Sequence, residues 1–401
     1  MKPDSPGPGP ASESDTLARA REWTTMLAAG VGPRRPCSEA ERVGAEALRE
    51  RLLESGLEGV DLTGFRSRAS FGSFHGPVLA AAASAGLVGR FLPRLGTGIS
   101  LAALAAGIDE GRFGRLGESR LTCRGESRNL VATVEPRDQV VRTLCLVSHL
   151  DSSRSGLMFH PSVTPYLGRL SGLVGAALGL QALGPVLGRA RAGRTAVRLS
   201  RLVCALAAVL ILEREIRGED VPGANDNASG AAVSGVLAAE IAAAPLKQTR
   251  LVLLVTGSEE SGVLGMRSFL RGTDTSDWLF LNFDGVGGDA PLRYLEREGN
   301  AVQSWPADSG ILEVMRRIER DRPELELSPL KLGSGLPYDS TPALVRGGRA
   351  ATLSVQGESI PDYHAPTDTA DRISDQSLGR AIEVGREVIA AIDRGEADGR
   401  Q

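Results

Sequence analysis

Short, nearly uninterrupted apolar segments that alternate with stretches of helical periodicity constrain the fold of this chain more than any other feature. A continuous apolar run predicts a strand that is buried on both faces of a sheet. Such strands are predicted at 129–134, 142–148, 250–256, 278–283 and 351–355. Helices are predicted at 228–244, 262–270, 310–320, 339–346 and 375–394. The alternation predicts an α/β fold, a three-layer α/β/α sandwich with a mixed, mainly parallel sheet.

The start of the chain predicts a tail followed by two helices. Residues 1–14 are rich in Pro, Ser, Gly and acidic side chains, and they lack the apolar run of a signal peptide. We therefore predict a disordered tail there and a cytoplasmic location. Helices are predicted at 15–29 and 38–56. The second has Ser38 as its N-cap and Glu41 three residues later, which is a capping-box pattern.

The composition argues against several kinds of partner and site. The net charge of the 401 residues is −3 and only 4% of them are aromatic, so no nucleic-acid partner is expected. The four cysteines form no CxxC pair, which argues against a zinc ribbon or a thioredoxin motif. Cys145 and Cys204 lie in apolar runs, and we interpret them as core thiols.

Two regions rich in Ala, Leu and Gly, at about 75–110 and 160–215, do not fit the alternating pattern. Each is predicted to form a hydrophobic helical hairpin inserted into the α/β body. Residues 170–188 form a run of 19 without a charge, about the length of a membrane span. The hairpins can form a lid, the interface of a homodimer, or a membrane-associated element in which the basic stretch 189–201 contacts lipid headgroups. His75 and His160 border these regions, and we interpret them as structural or interfacial.

Side chains that can bind metal follow three of the predicted strands. His149 comes directly after the strand at 142–148, and Asp151 lies two residues later, where its carboxylate can orient the imidazole. Glu259 and Glu260 follow the strand at 250–256. Two adjacent acids at a buried strand end need a compensating charge, so one can be a metal ligand and the other a general base. Asp284 directly follows the strand at 278–283.

Two further loops complete the set of candidate ligands. Asp226 lies in the loop 222–230, PGANDNASG, and its two carboxylate oxygens can bridge two ions. His364 follows the strand at 351–355 after a short loop. Each loop alone is consistent with a solvated turn, but five in one chain predict a metal centre. Two imidazoles and three carboxylates suit a co-catalytic pair of Zn²⁺ ions, and Co²⁺ or Mn²⁺ can occupy such a site.

The order of these motifs along the chain resembles the M28 family of zinc metallopeptidases, which includes aminopeptidases. The resemblance covers about 129–394 outside the region 166–212, and it implies one peptidase domain over 15–401 with hydrophobic insertions. It implies that Asp226 bridges both ions. Glu260 and His364 would then complete one metal site, and His149 and Asp284 the other.

The resemblance also implies the mechanism. A metal-bridged water would attack the peptide bond, and Glu259 would pass its proton to the leaving amine. Asp151 would orient His149, while Asp339 and Tyr363 would lie near the substrate. The implied function is that of a di-zinc exopeptidase, an aminopeptidase that removes N-terminal residues from a peptide substrate.

Three alternatives remain open at the level of sequence. A carboxypeptidase would need a basic residue for the substrate carboxylate, and Arg346 or Arg349 could supply it. Another amide chemistry could use the same scaffold, as in the glutaminyl cyclases, which resemble this family but use a single metal. A catalytically inactive, membrane-associated scaffold would bind no metal, whereas the presence of Glu259 and all five ligand types favours an enzyme.

Overall fold

The computed structural model describes residues 13–299, 303–333 and 335–398. Residues 1–12 of the predicted tail lie outside these ranges. The first helix begins at Glu13, two residues before the predicted start, and continues as a π-helical turn at Met26–Val31.

Ten strands are present among the described residues, and they fall into two sheets. Their bounds are β1 Asp61–Ser67, β2 Gly125–Val134, β3 Arg142–His149, β4 Thr249–Thr256, β5 Trp278–Phe283, β6 Leu292–Leu295, β7 Arg297–Gly299, β8 Ser304–Pro306, β9 Ser328–Leu330 and β10 Arg349–Val355. The large sheet has eight strands in the order β1-β2-β4-β3-β5-β10-β6-β9, and β7 pairs with β8 separately. The four central strands, β4, β3, β5 and β10, run parallel to one another.

Helices cover both faces of the large sheet. Their bounds are α1 Glu13–Thr25, α2 Glu39–Glu54, α3 Gly72–Phe91, α4 Pro93–Gly111, α5 Leu167–Ala182, α6 Gly184–Leu187, α7 Arg191–Arg217, α8 Gly230–Ala243, α9 Leu264–Gly272, α10 Ser309–Asp321, α11 Thr341–Val345 and α12 Asp375–Asp393.

Each central strand contributes alternate side chains to two separate cores, because successive residues of a strand point to opposite faces. Leu144 and Leu146 pack with α1, α2, α8, α10 and α12 on one face. Cys145 and Val147 pack with α9 and α11 on the other face. The predicted three-layer sandwich with a mixed, mainly parallel sheet is therefore confirmed.

All five predicted strands are present, as β2, β3, β4, β5 and β10. The strands that were not predicted are short or lack a continuous apolar run, and β1 and β9 lie at the edges of the large sheet. β1 is an example, because six of its seven residues are exposed or half-buried. The cysteines are unpaired in the described structure, and Cys145 and Cys204 are buried as expected.

The N-terminus of α2 forms only half of the predicted capping box. The Ser38 hydroxyl accepts a hydrogen bond from the backbone N–H of Glu41 at 3.1 Å. The Glu41 carboxylate, however, accepts hydrogen bonds from Cys37 N, Ser127 Oγ and Ser258 N at 2.7–2.9 Å. A side chain expected to cap its own helix instead connects α2 to β2 and to the loop after β4.

The two hydrophobic regions form four long helices that pack as a bundle. We call α3 to α7 the bundle and the rest of the described chain the body. α3 contacts α4 and α7, and α5 also contacts α4 and α7, so the long helices form a closed ring. A small core lies inside the ring and consists of Leu79, Ala82, Ala103, Ala177, Leu178, Cys204 and Ile211.

Candidate metal centre

The candidate ligands meet because three parallel strands end at the same edge of the sheet. In the register of β3 with β4, His149 pairs with Thr256, and both residues are the last of their strands. Glu259 and Glu260 follow β4, and Asp284 follows the neighbouring β5. This carboxyl edge is where open α/β sheets generally bind ligands.

The first group of donor atoms consists of His149, Asp226 and Asp284. The Nε2 atom of His149 lies 3.1 Å from Oδ1 of Asp226 and 3.8 Å from Oδ1 of Asp284. All three residues are buried, and their donor atoms lie within 4.8 Å of one another.

The second group consists of Asp226, Glu260 and His364. The Nε2 atom of His364 lies 3.2 Å from Oδ2 of Asp226 and 2.9 Å from Oε1 of Glu260. The donor atoms are again buried and within 4.8 Å of one another. Because its two oxygens face different groups, Asp226 belongs to both of them.

Asp226 is held in place by residues that the sequence did not single out. Both oxygens of Asp368 accept backbone hydrogen bonds, from Asn225 at 2.7 Å and from Asp226 at 3.1 Å. The amide of Asn227 donates to the carbonyl of Phe283 at 2.9 Å, and its oxygen accepts from Gly285 N at 3.0 Å. These bonds fix the Asp226 loop to the end of β5. Asp368 does stand four residues after His364, but this spacing alone does not indicate its partner.

Arg34 is a second residue that sequence reasoning missed. Its buried guanidinium donates to carbonyls of Leu27, Gly32, Leu150, Pro222 and Gly223 at 2.8–2.9 Å. One side chain therefore ties the N-terminal region to the loops that carry His149 and Asp226. Burial lowers the pKa of Arg34 to about 10, although the nearby carboxylates of Asp368 and Asp151 oppose that shift.

Asp151 contacts His149 differently from the expectation. The Nδ1 atom of His149 lies 3.0 Å from the backbone carbonyl of Asp151 and 3.7 Å from its carboxylate. That carboxylate accepts the backbone N–H groups of Glu259 and Glu260, both at 3.0 Å. The carbonyl leaves Nε2 of His149 free to bind metal. The carboxylate positions the two glutamates.

His364 lies between two aromatic rings. Tyr363 stacks on its ring with centroids 3.9 Å apart, and the Phe159 centroid lies 4.2 Å away. The Nδ1 atom of His364 has no hydrogen-bond partner among the described residues. Its Nε2 atom faces the carboxylates of Asp226 and Glu260, and a buried imidazole beside two buried acids is an arrangement that a cation stabilises.

The pKa shifts of the site also fit a set of ligands for divalent cations. Burial raises the pKa of Asp284. Burial lowers the pKa of His149, but the neighbouring carboxylates of Asp226 and Asp284 outweigh it and hold that pKa well above its usual value. For His364 the charges of Glu260 and Asp226 likewise outweigh burial and raise the pKa to about 9. Without metal the carboxylates therefore recruit protons, and the donor set fits two divalent cations in their place.

Glu259 stands beside the two donor groups and is itself only half-buried. Burial raises its pKa well above the ordinary value, the charge of His149 opposes this, and Glu260 and Asp339 reinforce it. A carboxyl group whose pKa is raised in a cleft has the properties of a general base or acid.

The remaining predicted residues lie in different environments. Asp339 is fully buried and accepts a hydrogen bond from the Thr256 hydroxyl at 2.5 Å, so it lies beneath the donor groups. Tyr363 lines a cleft of about 180 Å³ together with Arg169, Glu358 and Ile360. Tyr363 therefore lies at an open surface beside the metal centre, whereas Asp339 does not.

The two arginines considered for a carboxypeptidase are engaged elsewhere. Arg346 donates to the carbonyl of Leu270 at 2.6 Å. Arg349 pairs with Asp308 at 2.9 Å and begins β10, at the end of the sheet opposite to the ligands. Arg169 is instead the arginine that lines the cleft.

A three-layer α/β/α sandwich with buried nitrogen and oxygen donors at the carboxyl edge of its sheet is the arrangement expected of a metal-dependent hydrolase. The family model of Peptidase family M28 matches residues 210–389, which include four of the five candidate ligands. The resemblance to this family is therefore confirmed over that part of the chain, and the chain is a zinc-dependent metallopeptidase. His149 lies outside the matched residues. It joins the site because β3 ends at the same edge of the sheet as β4 and β5. A search of curated proteins finds no match.

Solved structures with this fold share little sequence with the chain. A zinc aminopeptidase from Bacillus subtilis is 15% identical, with 94% of each chain covered and a TM-score of 0.55. A Zn-dependent exopeptidase from Parabacteroides distasonis is 13% identical, with 96% of this chain and 98% of that chain covered and a TM-score of 0.56. A glutaminyl cyclase from Tannerella forsythia is 14% identical, with 96% and 99% covered and a TM-score of 0.53.

Proposed function

We propose that this metallopeptidase is a di-zinc exopeptidase, and specifically an aminopeptidase. The observation that supports the proposal most directly is the pair of buried donor groups that share Asp226. His149 and Asp284 would hold one ion, Glu260 and His364 the other, and Asp226 both. The similarity to a zinc aminopeptidase and to a Zn-dependent exopeptidase in fold is consistent with this assignment.

The chemistry divides between the ions and the chain. Zinc bound here would polarise the scissile carbonyl and lower the pKa of water. Glu259 accepts the proton of the attacking water and delivers it to the leaving amine. This role needs a half-exposed carboxyl group beside both donor groups, as Glu259 has. Asp151 holds Glu259 in this position, because its carboxylate accepts a hydrogen bond from the backbone N–H of Glu259. Arg34 and Asp368 keep the Asp226 loop in register with β5.

The substrate would bind in the cleft lined by Tyr363. At about 180 Å³, the cleft is small for a whole ligand pocket, which typically has a volume of several hundred Å³. It therefore suits one side chain and the adjoining backbone of a peptide. Glu358 on its lining could pair with the free α-amino group of an aminopeptidase substrate.

Metal content and hydrolysis of aminoacyl-p-nitroanilides test this proposal together. We expect about two zinc ions per chain. Glu259→Gln should keep the metal but lower kcat by roughly 10²–10⁴-fold, the usual contribution of general acid–base catalysis. The exposed Glu313→Gln on α10 is the matched control and should keep full activity. One zinc ion per chain would contradict the two-ion site, and an active Glu259→Gln would contradict the role of Glu259.

A carboxypeptidase is the second candidate, because Arg169 lines the cleft and could bind a terminal carboxylate. Peptides blocked at one end distinguish the two activities. An aminopeptidase fails on N-acetylated peptides and cleaves C-amidated ones, and Arg169→Gln leaves that pattern unchanged. The opposite pattern, with KM raised by Arg169→Gln, would assign a carboxypeptidase. Cyclisation of an N-terminal glutamine without peptide hydrolysis would assign glutaminyl cyclase chemistry.

A further inference from the structure

The outward faces of the bundle are apolar, although soluble proteins rarely expose large continuous apolar surfaces. On α7 the exposed residues recur every three or four positions and so form one stripe along the helix: Leu199, Leu202, Leu206, Val209, Leu212 and Ile216. Each of them is at least 54% exposed. α7 is also long and apolar enough to cross a membrane, yet only 22% of its most apolar 18-residue window is buried. α7 therefore has the apolar composition of a buried helix, but most of its apolar window is exposed.

The apolar surface surrounds the bundle and is not confined to one side. Exposed apolar residues lie on α4, such as Leu95 and Leu101, and on α5, such as Leu173 and Leu180. At the α3–α4 turn, Phe91 is 79% exposed. Because the long helices form a closed ring in which each contacts two neighbours, these outward faces together make a belt. A second copy of the chain would cover one side of the belt, whereas lipid can cover all of it.

The dimensions of the belt match the hydrocarbon layer of a bilayer. The stripe from Leu199 to Ile216 covers 17 residue steps, which is about 25 Å at 1.5 Å per residue. The 20 residues of α3 are about 30 Å long. The hydrocarbon core of a bilayer is about 30 Å thick.

Most arginines of the bundle lie toward the end away from the body. α3 begins against Ile211, near the C-terminal end of α7, and Gly86 lies against Arg201, so both hairpin turns point away from the body. Residues 62–108 and 152–212 contain no Asp or Glu. The arginines at and near these turns, which we call the arginine end, are Arg90, Arg94, Arg189, Arg191, Arg194 and Arg198. Among the described residues, none of them forms an ion pair with an acidic side chain. Unpaired arginines beyond an apolar belt complement anionic headgroups.

The interior of the bundle is packed in the manner of membrane helices. A Cβ on Gly96 would lie 2.6 Å from Cα of Gly89, so α3 and α4 approach each other through glycine. Much of the small core consists of alanine, as at Ala82, Ala103 and Ala177. Close contact through small residues is typical of helices that associate in lipid.

We propose that the bundle is inserted into a lipid bilayer, with its belt in the hydrocarbon layer and its arginine end at anionic headgroups. The body then stands at the membrane surface. The base of the bundle reaches the metal centre, because Arg214 of α7 lies over the ring of Phe159, which contacts His364. This inference rests on the bundle alone and does not depend on the proposed peptidase specificity.

Flotation of the full chain with vesicles of phosphatidylcholine and phosphatidylglycerol tests the proposal. We expect the chain to float with the vesicles and to stay with them after washing in 1 M salt and in carbonate at pH 11, conditions that remove peripheral proteins. Replacing Leu202, Leu206 and Val209 together by Gln should move most of the chain to the soluble fraction. The matched control replaces Val43, Leu53 and Val141, exposed apolar residues of the body, by Gln and should float like the wild type.

Helical content and zinc content of both triple variants establish that they fold. Because the replaced side chains are exposed in the bundle, the substitutions should leave its core unchanged. A wild-type chain that is monodisperse without detergent and does not float would overturn the proposal. A detergent-free dimer that the α7 variant dissociates would also overturn it, and would assign the stripe to a second copy.

Discussion

The body and the bundle distribute polarity in opposite ways. The body buries an unusual number of acids at the edge of its sheet, including Asp226, Glu260 and Asp284, and leaves two imidazoles to balance them. The bundle exposes apolar side chains along α7 from Leu199 to Ile216, and its buried core is small and partly made of alanine. Neither arrangement is stable in water alone, because buried acids need cations and exposed apolar belts need a nonaqueous phase.

The comparison separates two ligands that act on different parts of one chain. The acid-rich edge indicates metal, and the belt indicates lipid. If the two are independent, a change in one region should leave the property of the other intact. The following predictions test that independence, and each names the region that should not respond.

Loss of the shared carboxylate should have the largest effect. Asp226→Asn removes the charge that both donor groups share, so we expect loss of bound zinc and a fall in peptidase activity of at least about 10³-fold, since metal assistance contributes several kcal/mol. Asp289→Asn, at an exposed residue six positions after β5, is the control. Vesicle flotation should be unchanged. Two zinc ions retained by Asp226→Asn would show that Asp226 is not the bridge.

Neutralising the arginine end should weaken the preference of the bundle for anionic lipid and leave the metal centre of the body unchanged. Detergent is removed in the presence of two vesicle populations of different density, one neutral and one with phosphatidylglycerol. Replacing Arg189, Arg191 and Arg194 by Gln should reduce the preference for the anionic population by up to roughly a hundred-fold at low salt, at about 1 kcal/mol per arginine.

The control for the arginine end replaces Arg42, Arg51 and Arg250, half-exposed arginines of the body, by Gln. Zinc content and activity should be unchanged in both variants. An equal loss of preference in the body variant would assign the attraction to net charge and not to the arginine end.

Loss of a hydrogen bond behind the metal centre should have a smaller effect. Asn at position 368 can accept only one of the two backbone N–H groups that Asp368 accepts. We expect zinc affinity to fall about 10–100-fold, as for other groups that support metal ligands. Competition with a chelator measures this, and the exposed Asp371→Asn is the control. Unchanged affinity in Asp368→Asn would mean that the Asp226 loop is held without it.

A feature of the fold or of the site could be predicted from the sequence when the residues that form it lie close together along the chain. The strands β3, β4 and β5 and the ligand that follows each one depend on local pattern, so a continuous apolar run followed by a His or an acid was sufficient. The roles of Arg34 and Asp368 depend on contacts with loops more than a hundred residues away, which no local pattern records. Asp151 was singled out, but its carboxylate bonds to Glu259 and Glu260, a pairing across 108 residues.

Glu41 provides the smallest test, at a residue of the body that is not itself a candidate metal ligand. Burial raises the pKa of Glu41 to about 8, the charge of Asp151 adds to this, and hydrogen bonds from Ser127 and from the N–H groups of Cys37 and Ser258 oppose it. Between the ordinary glutamate pKa of about 4.5 and about 8, the folded chain therefore holds a proton that the unfolded chain releases.

The sign of this linkage gives the expected result. The protonated form of Glu41 favours folding, so its contribution is fully present at low pH and declines as pH rises toward about 8. At saturating zinc, wild type should lose more stability than Glu41→Gln between pH 5 and pH 8, as measured by urea midpoints. Taking the difference between the two proteins cancels the pH dependence of zinc binding, which has the opposite sign because protons compete for imidazole. A parallel decline in both proteins would mean that Glu41 is already ionised in the folded body, and that the neighbouring acid-rich edge is more open to water than its burial indicates.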